Sequence, residues 1–216
     1  MLQLFKNRDL INTGQLLEIL DQNLSPRLKA RGLLWNGSYL WFDGFRNSVR
    51  RVFGYSLLKG GQGTFTWGVC LDFIPTLSGN NLRLHRTDKS VKLQLFEWTD
   101  EYAASFNKNS DDKSESNVTH WGAYNAKQSV KKLMDKYEAR IFKWFDAAYT
   151  LEDVIKIAEY QVAEGKIYKF HNPDPQWILA FLYAKTKEHQ KAIEIIHMLD
   201  IDETLKPQLI QKVKKL

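Results

Sequence analysis

Residues 49–74, VRRVFGYSLLKGGQGTFTWGVCLDFI, decide the fold of this chain. In both halves of the stretch, apolar side chains occupy the odd positions, while the even positions are mostly polar or small. Alternation with a period of two is typical of a strand that buries one face. The run Gly60-Gly61-Gln62-Gly63 between the two halves indicates a tight turn. The stretch therefore predicts a long β-hairpin with one face in the core.

The shared parity of the two apolar sets also predicts the hairpin register. Opposite residues share a face, and a slip of one residue would send every apolar side chain to the other side. We place the centre of the turn at Gly61, with Gly54 opposite Gly68 and Arg50 opposite Asp72 on the face away from the core. The two glycines leave a shallow patch of backbone, which either a neighbouring element of the chain or a partner covers.

The composition indicates a folded chain with a sizeable core. Its 216 residues are 44% hydrophobic and include seven Trp, nine Tyr and twelve Phe. A single cysteine excludes an intramolecular disulfide and fits a reducing compartment. No long apolar run precedes the first charges, and no stretch is long enough to span a bilayer. We therefore expect a cytoplasmic protein with no membrane partner.

Shorter elements flank the hairpin. Asn12 or Thr13 is expected to cap a first helix that Ser25-Pro26 ends or restarts. Short strands are predicted on either side of Asn36-Gly37 and within 82–86 and 91–98. Too few residues separate these strands in the sequence for helical crossovers between parallel strands. The pattern therefore predicts an antiparallel meander of five or six strands.

The second half of the chain has helical spacing. Residues 105–119 are polar and are predicted to form a mobile loop. A long helix is expected at 124–145, a second helix after a capping box at Thr150, and three short helices within 177–214. The predicted fold class is α+β: an antiparallel β-meander sheet backed by helices, with a C-terminal helical cap. We assign residues 1–165 to the sheet domain and residues 166–216 to a helical appendage.

The order of these motifs resembles a known family. A helix leads into RLKARGLLWNGSYLWF, a hairpin ends in FTWGVCLDF, and helices follow in FKWFDAAYTLEDVIKIAEY. This order is similar to the bacterial domain-of-unknown-function family 4304 over residues 10–165. The family has no established catalytic residues, so the resemblance implies none here. Small bacterial proteins of this kind resemble neighbours of toxin or defence genes, which implies an immunity role with a toxin as partner.

The sequence contains parts of three chemical signatures, and none of them is complete. Cys70 would need His85 or His120 as a base, and no local motif brings them together. The five histidines are scattered, so no metal site is predicted. The run 60–63 is followed by a strand, whereas a phosphate-binding loop opens a helix. No cofactor is predicted.

Charge gives the leading functional hypothesis. Residues 1–98 hold 13 Lys and Arg against seven Asp and Glu, whereas residues 99–216 hold 18 against 18, so the first part carries the whole net charge of +6. An excess of basic residues favours an acidic partner. We predict a non-catalytic protein-binding module, an immunity or defence-associated protein that engages an acidic partner through a basic surface beside the sheet. The predicted partner-binding residues are Arg46, Arg50, Arg83, Arg86, Asp72, Gly54 and Gly68.

Two alternatives stay open at this point. The first is a nucleic-acid-binding protein, because basic residues of the sheet half lie near Tyr39 and Trp41, which are taken as exposed. The second is an enzyme of a kind that the motifs do not reveal.

Overall fold

The computed structural model describes residues 9–79, 81–99, 117–165 and 173–216, and these ranges hold six helices and eight strands. The helices are α1 (Thr13–Lys29), α2 (Ala123–Ala147), α3 (Leu151–Ala163), α4 (Pro175–Lys185), α5 (His189–Met198) and α6 (Lys206–Val213). The strands are β1 (Leu34–Trp35), β2 (Leu40–Phe42), β3 (Val49–Leu58), β4 (Gln62–Leu71), β5 (Thr76–Ser78), β6 (Asn81–Arg83), β7 (Leu95–Trp98) and β8 (Val118–Thr119).

The main sheet confirms the predicted α+β class. Its strands follow the order β1-β2-β3-β4-β7, and β8 also pairs with β4. The pairs β1–β2, β2–β3 and β4–β8 are antiparallel. A separate antiparallel pair, β5–β6, sets Thr76 opposite Arg83.

The long hairpin forms where it was predicted, with one difference. Strand β3 ends at Leu58 and β4 begins at Gln62, so residues 59–61, which include the predicted centre Gly61, connect the two strands. All residues of β4 except Gln62 are buried, which means that both faces of this strand are covered. Period-two alternation showed the apolar face, but it could not show that small and polar side chains on the other face are covered too. The predicted pairings of Arg50 with Asp72 and of Gly54 with Gly68 stay predictions.

Helix α1 continues beyond the predicted end at Ser25-Pro26. Asn12 caps the helix, and its side chain accepts a hydrogen bond from the Gln15 backbone N–H at 2.9 Å. Leu16, Leu20, Leu24 and Leu28 follow each other at four-residue intervals and are all buried. Leu28 follows Pro26 in the last turn of α1 and is buried in the core. Its packing there stabilises the turn by more than is lost through the backbone hydrogen bond that proline cannot donate.

Aromatic side chains fill the centre of the core that α1 covers. Trp41, Phe53, Phe65 and Trp67 are fully buried. The apolar side of α2 joins the same cluster through Val130, Leu133, Met134, Tyr137, Ile141 and Phe145, with the partly buried Trp144 packed against it. Trp41, which had been taken as exposed, instead donates its indole N–H to Ser25 Oγ at 2.8 Å.

The predicted mobile loop is wrong in its last three residues, because Asn117 is buried and the next two residues form a strand. Val118 and Thr119 form β8, paired with Gly63 and Gln62 of β4, and Val118 is completely buried. A single apolar residue in a polar stretch carried too little signal to predict a two-residue strand. Residues 105–116 lie outside the described ranges.

Internal contacts divide the chain into two compact units that are not continuous in sequence. The first unit comprises residues 1–44, 50–68 and 96–145, and the second comprises 45–49, 69–95 and 146–216. Helix α3 thus belongs with the later helices, and Tyr183 of α4 donates a hydrogen bond to Glu159 of α3. The limits of these units do not coincide with the predicted boundary after residue 165.

Candidate functional site

The predicted partner-binding residues fall into two groups. Arg46, Asp72, Arg83 and Arg86 belong to the second unit, whereas Arg50, Gly54 and Gly68 belong to the first. In the second unit the three arginines are exposed and Asp72 is half-buried. The exposed part of the predicted surface therefore belongs to one unit.

Arg46 starts a tight turn. Its backbone N–H donates to the Val49 carbonyl at 2.8 Å, and the Val49 N–H donates back to the Arg46 carbonyl at 2.9 Å. The two residues between them, Asn47 and Ser48, have φ values of 48° and 69°. Positive φ at both central positions matches the turn type that closes two-residue hairpins, and Asn tolerates this conformation well. The turn holds Arg46 at an exposed position.

The backbone of Asp72 connects this turn to Arg86. The Asp72 N–H donates to the Ser48 carbonyl at 3.3 Å, and Arg86 Nε donates to the Asp72 carbonyl at 2.9 Å. Two stretches more than thirty residues apart in sequence are thus held together by hydrogen bonds to one residue. Asp72 was predicted as a partner-binding residue opposite Arg50, and in the structure its backbone makes this connection.

His85 fixes the loop that carries the other basic residues. Its Nδ1 donates to the Ser90 carbonyl at 2.6 Å, and its Nε2 lies 2.5 Å from Thr76 Oγ1. Because a carbonyl only accepts, Nδ1 carries the proton in the contact with Ser90. Cys70 Sγ also donates to the His85 carbonyl at 3.6 Å. These contacts order the backbone on both sides of Arg86.

The charges of this region are strongly one-sided. Between residues 76 and 92, four Lys and Arg stand against one Asp. Arg83, Arg86 and Lys89 are exposed, whereas Lys92 is half-buried and burial lowers the pKa of its amine. We call the exposed residues Arg46, Arg83, Arg86 and Lys89 the basic turn cluster.

The predicted site residues of the first unit are not exposed. Arg50 is only 6% exposed, and its guanidinium carbon lies 4.9 Å from the centre of the Phe42 ring. Gly54 and Gly68 are buried as well. Since neither face of the hairpin is open at these positions, Arg50 and the two glycines do not belong to the exposed surface that the prediction placed there.

A second constellation lies at the tip of the long hairpin and was not predicted. Tyr55 Oη lies 2.6 Å from His120 Nε2, and both side chains are buried. The backbone N–H of His120 donates to the Gly61 carbonyl at 2.8 Å. Gly63 lies directly under the phenol, since a Cβ there would be 2.1 Å from Tyr55 Oη. In the sequence, the glycine-rich run 60–63 was the one hint of this contact, because glycine often marks a place where another group lies close to the backbone.

The Tyr55–His120 pair has the electrostatics of a buried structural contact. Burial, and to a smaller extent the neighbouring Tyr39, raises the pKa of the Tyr55 hydroxyl. Burial lowers the pKa of His120. Both groups therefore stay neutral near pH 7, with Tyr55 donating to the unprotonated Nε2. A neutral phenol held by a neutral imidazole is suited to fixing the hairpin tip and not to nucleophilic attack.

Cys70 and His85, the thiol and base weighed in the sequence, lie close together, but they meet through other groups than a thiol and its base would use. The imidazole nitrogens of His85 contact Ser90 and Thr76, and the thiol of buried Cys70 donates to the His85 carbonyl. This is not the arrangement of a thiol and its general base. Within the described ranges, no three His, Cys, Asp or Glu side chains are grouped as metal ligands would be.

Comparisons with known proteins return no relatives. No family model, no curated protein and no solved structure matches this chain. The resemblance to family 4304 therefore stays a hypothesis that rests on the order of the motifs. In the part of the chain that the structure describes, no helix has both the length and the apolar character needed to cross a bilayer.

Proposed function

We propose that this protein is a non-catalytic protein-binding module that docks an acidic protein partner on the basic turn cluster. The observation that carries the proposal is the pair of hydrogen bonds through Asp72, which hold the Arg46 turn and Arg86 together. Exposed arginines on turns fixed in this way form a defined surface and not a set of independent charges.

Arginine suits this role because its planar guanidinium pairs with carboxylates through two parallel hydrogen bonds. Arg46 and Arg83 lie on a tight turn and on β6 respectively, so their backbones are fixed before a partner arrives. Fixing the backbone in advance reduces the ordering entropy that association costs. Lys89, on the turn Asp88–Ser90, extends the positive potential.

An acidic protein with carboxylates on a complementary surface is the expected partner. Such partners associate faster at low ionic strength, because opposite potentials steer the encounter. The narrower assignment, an immunity or defence-associated protein that binds a toxin, depends on the resemblance to family 4304 alone. Identifying the partner would decide whether this narrower assignment is correct.

The test is co-purification from an extract of the source organism, followed by mass spectrometry. Three baits are compared: the natural protein, the Arg46→Glu/Arg83→Glu variant, and a Lys214→Glu/Lys215→Glu control. The control makes the same change in charge at exposed positions of the same unit. Arg86 is left unchanged because its Nε also holds the Asp72 backbone.

The expected result is an acidic protein that the natural bait and the control retain and the arginine variant loses. Loss with both variants would mean that net charge alone governs retention. Equal retention by all three baits would place the interface elsewhere. Either outcome would contradict the proposal, provided that thermal unfolding shows all three baits to be folded.

A further inference from the structure

Independently of the proposed function, the first unit carries exposed aromatic and basic side chains in a row. Trp121 is 48% exposed and Tyr124 is 63% exposed. Lys127 and Lys131 follow at spacings of three and four residues on α2, and both are exposed. Residues at these spacings share one face of a helix, so Tyr124, Lys127 and Lys131 form a row of about 10 Å.

Trp121 lies just before α2, three residues ahead of Tyr124, and its ring is held in place. Its indole N–H donates to the Gly60 carbonyl at 3.2 Å. A Cβ on Gly61 would lie 3.0 Å from the indole nitrogen and 2.6 Å from Leu10 Cδ1, so the ring packs directly on the turn. The backbone of Trp121 is also bridged to Leu10. A ring that is fixed along one side and half exposed loses little entropy when another ring stacks on it.

A groove of about 600 Å³ continues the row between α1 and α2. Gln22, Asn23, Pro26 and Arg27 of α1 line one wall, and Lys127, Lys131 and Asp135 of α2 line the other. Arg27 forms ion pairs with Asp135 and Glu138, which hold the two helices together. Helix α2 carries six Lys and Arg against three Asp and Glu, so its surface favours an anion even though the second half of the chain is neutral as a whole.

We propose that this face binds single-stranded nucleic acid, with Trp121 and Tyr124 stacking on bases and Lys127 and Lys131 holding phosphates. Aromatic platforms next to a positively charged groove are the general means by which proteins hold single strands. The amide nitrogens of Gln22 and Asn23 each donate one hydrogen bond within α1, to Glu18 and to the Ile19 carbonyl. Each amide has a second N–H and an oxygen that can bond to base edges, which a purely electrostatic site for acidic proteins would not need. An acidic protein segment is the competing occupant.

The test is fluorescence anisotropy with a labelled oligouridylate of about 12 nucleotides, a length within the usual site sizes. A duplex of the same length and a glutamate polymer serve as competitors. Three variants are compared with the natural protein: Tyr124→Ala, Lys131→Gln, and Lys143→Gln as a matched control on the same helix. Lys143 is also an exposed lysine of α2, three turns further along.

Salt-dependent binding of the single strand is expected, with a slope of about −1.4 for two phosphate contacts. Tyr124→Ala should weaken it about tenfold, Lys131→Gln should reduce the slope by about 0.7, and Lys143→Gln should change neither. Absence of saturable binding at about 50 mM salt, or equal effects of the two lysine variants, would overturn the proposal. So would tighter binding of the glutamate polymer with the same dependence on Tyr124 and Lys131. Thermal unfolding of each variant separates lost binding from lost folding.

Discussion

The hairpin tip and the basic turn cluster use turns in opposite ways. At the tip, Gly61 and Gly63 leave no room for a side chain, because Trp121 and Tyr55 pack on their backbones. In the cluster, Asn47 and Ser48 adopt positive φ although neither is glycine, and the turn begins at the exposed Arg46. The first turn is closed by side chains that pack on it and by hydrogen bonds from His120 and Trp121, whereas the second is held by backbone hydrogen bonds between Arg46 and Val49. Substitutions should therefore damage stability at the tip and binding at the cluster.

Gly63→Ala should have the largest effect on stability. The new Cβ would lie 2.1 Å from Tyr55 Oη and 2.2 Å from its Cζ. Tyr55 is buried and hydrogen-bonded to His120, so its side chain cannot move aside freely. We expect a loss of about 3 kcal/mol in the free energy of unfolding, at the upper end of overpacking costs, measured by urea denaturation.

Gly60→Ala is the matched control for that prediction. Gly60 has a φ of +81°, but nothing lies within 4 Å of the position of its Cβ. Only the backbone conformation is strained, which costs about 1 kcal/mol. Equal losses for the two variants would show that Tyr55 does not close the turn.

Tyr55→Phe should come next in size. Removing the hydroxyl leaves His120 Nε2 buried without its donor, which costs about 2 kcal/mol. Tyr39→Phe is the control, because Tyr39 is half-buried and its ring lies 6.0 Å from that of Tyr55. Denaturation should show a change below about 0.5 kcal/mol for this control. A larger loss for Tyr39→Phe than for Tyr55→Phe would contradict the described contact.

The Tyr55–His120 pair should also make stability depend on pH. Burial lowers the pKa of His120 below its usual 6.5 in the folded state, so the unfolded chain binds the proton more readily. The free energy of unfolding should be highest above pH 6.5, fall as the pH drops below that value, and level off beneath the folded-state pKa. In His120→Gln this part of the pH dependence should disappear. A difference between the two proteins that grows above pH 6.5 would contradict the sign.

Arg83→Ala should have the smallest effect on stability. Arg83 is exposed at the end of β6, and substitutions at exposed positions usually change the free energy of unfolding by less than about 0.5 kcal/mol. Thermal unfolding should therefore be almost unchanged. A large loss would show that this side chain supports the fold and would remove it from the docking surface.

The sequence predicted elements where a periodic pattern was long. The ten-residue strands of the hairpin and the helix of 25 residues emerged with nearly correct bounds. Strand β8 was missed because it has two residues, and the end of α1 was misplaced because Pro26 is tolerated within it. A long periodic pattern therefore predicts an element reliably, whereas the ends of elements and very short strands depend on tertiary packing that the local sequence does not show.

The candidate sites were less predictable than the fold. The sequence identified Arg46, Arg83 and Arg86 by charge, but it could not distinguish these exposed residues from the buried Arg50. Parity assigns a side chain to a face of a strand, and it does not show whether that face is covered. The pairing of Tyr55 with His120 joins residues 65 positions apart, and no local spacing encodes such a contact.

The most direct test of the account is the affinity of the purified acidic partner for the protein across a salt series. The natural protein, Arg46→Glu/Arg83→Glu and the Lys214→Glu/Lys215→Glu control are compared by calorimetry. We expect the arginine variant to bind at least tenfold more weakly, with a shallower dependence on salt, while its unfolding free energy stays within about 0.5 kcal/mol of the natural value. Undiminished affinity in the folded arginine variant would contradict the assignment of binding to the basic turn cluster.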